Sequence, residues 1–334
     1  MRILHYRSNA VHPAIGNDGV GRALDATLIG LSHNGHKAET YLYNNFANTD
    51  TFCLENTYCH KVVTQIDAKN ILKDYDIVVF HGGNDLFIQD KRYIRLLHWL
   101  IVDPKVIVDM QFGNNTVIGV SKSALQYNNI FNKGFNDYVY STAYLSVAHK
   151  MVIKDGIKNK GDYYIWVGGT DWFNQKGLDI AIRIAKIAQI NLLIFGSGKN
   201  KDIIRYIENQ SDDKIRYMGA TTNDQDKYTF LSRAKGLLCP SIIPDGCPMT
   251  VVEALMCGCP VLAYSHSSFP ELVEEGWGQL FASLDQQSLL RFIVHNKRSG
   301  RFDYESIMTG AQQRFDYKKL AQKHYQIYEK ILGC

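Results

Sequence analysis

The sequence predicts an α/β protein built from two doubly wound, Rossmann-like domains. Three observations carry this. The chain has 334 residues, room for two domains at roughly 100–200 residues each. Its composition, 46% hydrophobic and 21% charged, is that of an ordinary globular protein and excludes disordered, collagen-like and coiled-coil chains. Short apolar runs alternate with helix-period segments from end to end, the pattern of parallel strands joined by crossover helices.

Taken in order, Arg2–Tyr6 reads as a strand. A polar, glycine-containing loop and a helix follow, with Val20, Ala23, Leu24, Leu28 and Leu31 on one face and Gly35 as its stop. Lys37–Tyr43, Ile77–His81, Val106–Met110 and Tyr138–Ser141 are further strands, with helices near Lys91–Ile101 and Lys122–Phe131. The Lys- and Gly-rich stretch Lys154–Gly161 lacks apolar periodicity and reads as a linker. Beyond it, Tyr163–Val167, Leu192–Phe195, Ile215–Met218, Leu237–Cys239, Val261–Tyr264 and Gln279–Phe281 read as strands. Leu178, Ala181, Ala185 and Ala188 form a helix stripe, and so do Leu320, Ala321, Tyr325, Tyr328 and Leu332. The expected division is residues 1–155, 156–315 and a terminal helix over 316–334.

The charge balance is mildly basic, +4 with 37 Lys and Arg against 33 Asp and Glu, and decides nothing about polyanion partners. No run approaches the roughly 18 apolar residues of a membrane-spanning helix, and Met1 leads straight into the first strand. A cytoplasmic protein is expected, with peripheral contact at the inner membrane surface as an alternative. The seven Cys are odd in number and fit reduced thiols. Cys239, Cys247, Cys257 and Cys259 lie close in sequence but form no C-x-x-C pair, so buried thiols are favoured over a zinc site.

The densest chemical signal is Pro240-Ser-Ile-Ile-Pro-Asp245-Gly-Cys-Pro-Met-Thr250-Val-Val-Glu253, continuing to Gly258-Cys-Pro260-Val. A strand ends at Cys239, a loop carries Asp245 and Gly246, and a helix starts near Met249. Its free N–H groups and positive dipole end suit a diphosphate. Gly246, Cys247, Pro248, Met249 and Thr250 are the candidate cradle. Glu253 is placed to grip two neighbouring hydroxyls, as on a ribose, and Asp245 to hold sugar hydroxyls.

This passage resembles the donor-site signature of retaining glycosyltransferases with the GT-B fold, specifically glycosyltransferase family 4. That signature has two acids separated by seven residues, then Ala, small residues and Gly-x-Pro-Val. Asp245 stands where the family usually has Glu, and Glu253 matches. Val167-Gly168-Gly169 and Lys176-Gly177 resemble the family's strand-loop with an Arg and a Lys on the diphosphate. Lys176 matches, while Gly169 or Thr170 holds the Arg position. Phe195-Gly196-Ser197-Gly198 resembles a glycine-rich turn, and Tyr217-Met218-Gly219 the turn facing the nucleobase. Phe269-Pro270-Glu271-Leu272 and the terminal helix from Phe315 to Leu332 have counterparts as well. In the N-terminal half, Asn17-Asp18-Gly19-Val20-Gly21 resembles the glycine loop against the donor phosphates. The family His after the strand Val106–Met110 is replaced by Gln111, and His81 is the nearest alternative.

The resemblance implies transfer of a sugar from a nucleotide-diphosphate sugar, UDP-linked by expectation, with retention of configuration. No cofactor beyond that co-substrate is implied. No Asp-x-Asp-like metal pair is evident, so metal-free chemistry is expected, with Lys176, Asp245, Glu253 and His81 as candidate catalytic residues. Expected acceptors are a saccharide or lipid-linked sugar. A nucleic-acid acceptor is the alternative, contacted by Lys150, Lys154, Lys158, Lys160 and a helix bearing Lys91, Arg92, Arg95 and Trp99. A non-catalytic sugar-nucleotide-binding subunit is the third reading.

Overall fold

The computed structural model describes residues 1–7, 19–43, 51–54, 58–63, 72–81, 92–97, 116–127, 136–221, 223–296 and 301–333. The chain divides into two compact units. Met1–Tyr144, Asp245–Met249 and Phe315–Cys334 form the first, and Leu145–Pro244 and Thr250–Arg314 the second.

The first unit runs β1 (Ile3–Arg7), α1 (Gly19–His33), β2 (Ala38–Tyr43), β3 (Thr51–Leu54), β4 (Tyr58–Val63), β5 (Ile77–His81), β6 (Tyr93–Leu97), β7 (Thr116–Gly119), α2 (Lys122–Tyr127) and β8 (Asn136–Tyr138). Its sheet has the order β3-β4-β2-β1-β5-β6-β7-β8, with β3 antiparallel to β4 and the other pairs parallel. Ile3, Leu4, Ile77, Val78 and Val79 are consecutive and fully buried in β1 and β5, as expected of parallel strands covered on both faces.

The helix expected over Lys91–Ile101 is instead the strand β6. Ile94 and Leu96, two apart, are both buried, and β6 pairs with β5 and β7 on its two sides. A period of two, satisfied between parallel neighbours, outweighs the helical spacing. The candidate strand Val106–Met110 and Gln111 lie outside the described residues.

The second unit runs α3 (Val147–Lys158), β9 (Tyr164–Val167), α4 (Leu178–Ala188), β10 (Leu192–Phe195), α5 (Lys201–Gln210), β11 (Ile215–Gly219), α6 (Asp224–Arg233), β12 (Leu237–Cys239), α7 (Met249–Met256), β13 (Val261–Tyr264), α8 (Phe269–Leu272), β14 (Gly278–Phe281), α9 (Gln286–Asn296) and α10 (Tyr304–Arg314). The first residue of α7, Met249, groups with the other unit. Six strands lie in the order β11-β10-β9-β12-β13-β14, all parallel. Counted within the unit this is third, second, first, fourth, fifth, sixth: the doubly wound order, whose winding reverses between β9 and β12. Trp166, Leu178, Ile182, Leu192 and Ile194 are among its buried core.

The expected linker Lys154–Gly161 is largely the end of α3. Ile153, Gly156 and Ile157 are buried, an i, i+3, i+4 stripe that packs on α6. Ser146 starts the helix with a capping box: its hydroxyl accepts from the His149 N–H at 3.2 Å, and its own N–H donates to His149 Nδ1 at 3.3 Å. By contacts, Tyr144 groups with the first unit and Leu145 with the second.

The last helix, α11 (Tyr317–Leu332), groups with the first unit. Asp316 caps it by accepting the Lys319 N–H at 2.9 Å. It packs along α1, where Asn34 Nδ2 donates to the Lys318 carbonyl at 2.9 Å. The buried stripe is Ala321, His324, Ile327, Tyr328 and Ile331, rotated from the expected one. Tyr325 instead lies on the flank, its ring stacked on His36 with centroids 3.5 Å apart.

Candidate functional site

At the carboxyl end of β9 the chain enters Gly168–Thr170. The Gly168 N–H donates to the Phe195 carbonyl and that of Thr170 to Ser197, both at 3.0 Å. A Cβ on Gly196 would lie 1.9 Å from the Gly168 carbonyl oxygen, so the turns after β9 and β10 touch backbone to backbone. Asp171 ties them further, accepting the Lys199 N–H at 2.9 Å and the Asn200 N–H at 2.9 Å. Those two amides hold its carboxyl below the usual carboxylate range. Gly169 has room: an added Cβ would meet only Trp172, at 3.8 Å.

Lys176 sits on the turn that opens α4. Its N–H donates to the Trp172 carbonyl at 2.8 Å, and its own carbonyl accepts from Trp166 Nε1 at 3.2 Å. On one side Gln175 accepts the Ile242 N–H at 2.8 Å and the Ser241 hydroxyl at 3.2 Å. On the other, Gly177 has φ 72°, and a Cβ there would lie 2.1 Å from the Pro240 carbonyl oxygen. The half-buried lysine is thus fixed by backbone contacts where the loops after β9 and β12 meet, at the reversal of winding.

Asp245 and Pro248 are half-buried, and Gly246 and Cys247 buried. Met249 is buried against Ala23 and Ala143, and a Cβ on Gly19 would lie 3.0 Å from Met249 Cγ. Within the first unit, Gly19 and Ala23 of α1 thus lie against Met249, while Gly21 is buried. Thr250 follows, half-buried. At its far end α7 stops in a Schellman motif: the Gly258 N–H donates to Leu255 O at 2.9 Å and the Cys259 N–H to Ala254 O at 2.8 Å, with Gly258 at φ 69°. That geometry explains the Gly-x-Pro spacing. Met218 is exposed beside Tyr217, whose hydroxyl donates to the Gly196 carbonyl at 2.9 Å.

Glu253 points inward. Its side chain is 1% exposed, and Oε1 accepts from Lys227 Nζ at 2.8 Å. Lys227, itself 5% exposed, also pairs with Asp224 Oδ1 at 3.0 Å. Sequence reasoning missed Lys227. The signal was available, since it falls on the α6 stripe with Tyr228, Leu231 and Ser232. His81 is buried at the end of β5, its Nε2 2.7 Å from His5 Nδ1, the packed and hydrogen-bonded setting commonest for a lone strand-end histidine.

The sequence does hold Asp-x-Asp patterns, at Asp74–Asp76 and Asp224–Asp226. Asp76 accepts the Arg2 N–H at 2.7 Å, Asp224 pairs with Lys227, and Asp226 accepts from the Asn223 amide at 2.9 Å. Among the described residues no three His, Cys, Asp or Glu gather as a metal site. Burial pushes the Cys259 thiol up to about 12 and Cys257 well up, leaving both protonated at neutral pH.

Of the lysines considered for nucleic acid, Lys150, Lys154 and Lys158 are exposed on α3. Lys160 is turned inward, donating to the Ser232 carbonyl at 2.9 Å over the Tyr304 ring. Arg92 precedes β6 and Arg95 lies within it, a strand and not a helix, while Lys91 and Trp99 lie outside the described residues. Among the described residues no helix is long and apolar enough to cross a membrane.

Residues 161–295 match the family model described as glycosyl transferases group 1. An uncharacterized glycosyltransferase of Methanocaldococcus jannaschii is 28% identical over 146 residues, 43% of this chain and 41% of that protein. WcaL of Salmonella typhimurium, ascribed to colanic acid biosynthesis, is 30% identical over 153 residues, 42% of this chain and 37% of that one. The alignments thus span about two fifths of these curated relatives. Anabaena HepE, solved with UDP and glucose, superposes with a TM-score of 0.74 at 15% identity, covering 99% of this chain and 100% of that one. AviGT4, a glycosyltransferase involved in avilamycin A biosynthesis, gives 0.74 at 14% identity, covering 99% and 98%. The chain has the GT-B fold, and residues 161–295 within it match the group 1 glycosyl transferases.

Proposed function

We propose that this protein is a retaining glycosyltransferase that moves a sugar from a nucleotide-diphosphate sugar, UDP-linked, to a saccharide or glycolipid acceptor without a metal ion. The observation that carries this reading is the Lys176 turn, locked to the loop after β12 at the reversal of winding, within the residues that match the group 1 glycosyl transferases. In the reaction, the bond between the anomeric carbon and the diphosphate oxygen breaks and the electron pair leaves with the diphosphate. The acceptor oxygen bonds to that carbon, and its proton departs with the leaving group. Negative charge grows on the diphosphate, where the Lys176 ammonium and the N-terminus of α7 stabilise it. Asp245 holds the donor sugar's hydroxyls and Glu253 those of the ribose. HepE's complex with UDP and glucose supports the choice of donor.

The test is UDP binding by calorimetry, followed by donor hydrolysis and transfer with the full chain. Lys176→Ala is expected to slow turnover about 10²–10³-fold with an unchanged melting point. Near-normal turnover in that variant, or no binding of a nucleoside diphosphate by the wild type, overturns the reading.

A further inference from the structure

Lys227 breaks two local rules. It lies in the first turn of α6, one residue past Asp226, where the helix dipole disfavours a cation. It is also almost fully buried, where an ammonium group is costly unless paired and hydrogen-bonded. Its partners come from two places: Glu253 on α7 at 2.8 Å, and Asp224 one turn back on its own helix at 3.0 Å. The Tyr228 ring lies 4.9 Å from Nζ, and Tyr228 is in turn edge-on to His149 of α3, 5.0 Å between centroids. Asp224 is 46% exposed, so the chain of charges runs from the surface to a carboxylate in the core. Positions where local preference is broken are expected at functional or strained sites.

We propose that Lys227 is a positioning residue for nucleotide selection. It holds the Glu253 carboxylate in the orientation that reads the ribose hydroxyls, with Asp224 steadying the lysine, and so lets the enzyme reject deoxyribonucleotides. This rests on the donor-site reading of Glu253 given above. A carboxylate that accepts from vicinal hydroxyls discriminates only if its plane is fixed, and an ammonium 2.8 Å from one oxygen fixes it. A site built to bond a hydroxyl rejects the analogue lacking it, by tenfold or more.

The experiment is calorimetry on the full chain with UDP, GDP and their 2′-deoxy analogues. Wild type is expected to prefer the ribonucleotide by at least about tenfold. Lys227→Met is expected to erase most of that preference by weakening only the ribonucleotide, and Lys227→Arg to restore it. A merely structural role would weaken both forms alike. Should Lys227→Met not fold, Asp224→Asn decides, with a reduced preference expected. An unchanged ratio in a folded Lys227→Met, or in Asp224→Asn where that variant decides, overturns the proposal. If Glu253→Gln loses the preference in the same series, the donor-site reading survives that failure. Equal wild-type affinity for ribo and deoxy forms overturns the proposal together with the role of Glu253. No binding of either nucleotide overturns the donor reading itself.

Discussion

Gly177 shows how one residue places a catalytic candidate. Its left-handed backbone turns the chain into α4, and the absent side chain lets the Pro240 carbonyl approach. Gly177→Ala adds about 1–2 kcal/mol of backbone strain and forces the two loops apart. The expected loss is about 2–5 kcal/mol by urea denaturation, with a raised KM for the donor because Lys176 moves with the turn. Gly169 is the opposite case. It is, with Thr170, one of the two places where the resemblance puts a second cation, its backbone is extended, and an added Cβ meets only Trp172. Gly169→Arg is therefore expected to leave the melting point unchanged and to tighten UDP binding about tenfold, a gain of 1.4 kcal/mol appropriate to one charge-assisted contact. Unchanged affinity in calorimetry would count against the diphosphate lying there.

At the scale of elements, α3 and α6 meet where Gly156 faces Ser232. A Cβ on Gly156 would lie 1.8 Å from Ser232 Oγ and 2.7 Å from its Cβ. Gly156→Ala is expected to cost about 1–3 kcal/mol by overpacking, and Ser232→Gly in the same chain to recover part of it in a double-mutant cycle. The same helix marks a limit of sequence reading. The stripe Ile153, Gly156, Ile157 is short and interrupted by Lys154 and Asp155, so composition suggested a linker where tertiary packing makes a helix. The strand β6 was misread for a related reason: Tyr93–Leu97 fits both periods, and only its two parallel neighbours choose. In the second unit β9, β10 and β12 are legible because each is an unbroken apolar run followed by a glycine or proline, and β13 is an unbroken apolar run as well. Among the candidate residues, Lys176, Asp245 and Glu253 stand out in the sequence as a spacing pattern. The Lys227 pairing does not, since it joins residues 26 apart in sequence on two different helices.

At the scale of the molecule, buried titratable groups set a pH window. Burial, aided by the neighbouring Lys323, lowers His324 to about 3. The unfolded chain takes up that proton near 6.5, so stability is complete above pH 6.5 and falls as pH drops toward 3, by up to about 1.4 kcal/mol per unit. On the alkaline side burial raises Cys259, Tyr163, Tyr164 and Tyr264 to about 12. Their contribution is present below pH 9–10 and lost above it. Lys160, lowered by burial to about 8, works the other way, adding stability as pH rises from 8 to 10.5. Urea midpoints are expected to fall below pH 6.5, to hold or rise slightly from 8 to 9, and to fall beyond. His324→Leu should flatten the acid limb, and an acid limb unchanged in that variant would contradict the assignment.

The grouping of α11 with β1 to β8 bears on how the protein is made. Tyr317, on α11, packs against Leu24, Leu28 and Ile29 of α1, yet residues 145–314 are translated between the two helices. At ordinary elongation rates the nascent N-terminal sheet waits roughly ten to thirty seconds on the ribosome with an oily flank uncovered. The second unit gains a head start in folding, and holding chaperones have their natural target in the half that was synthesised first.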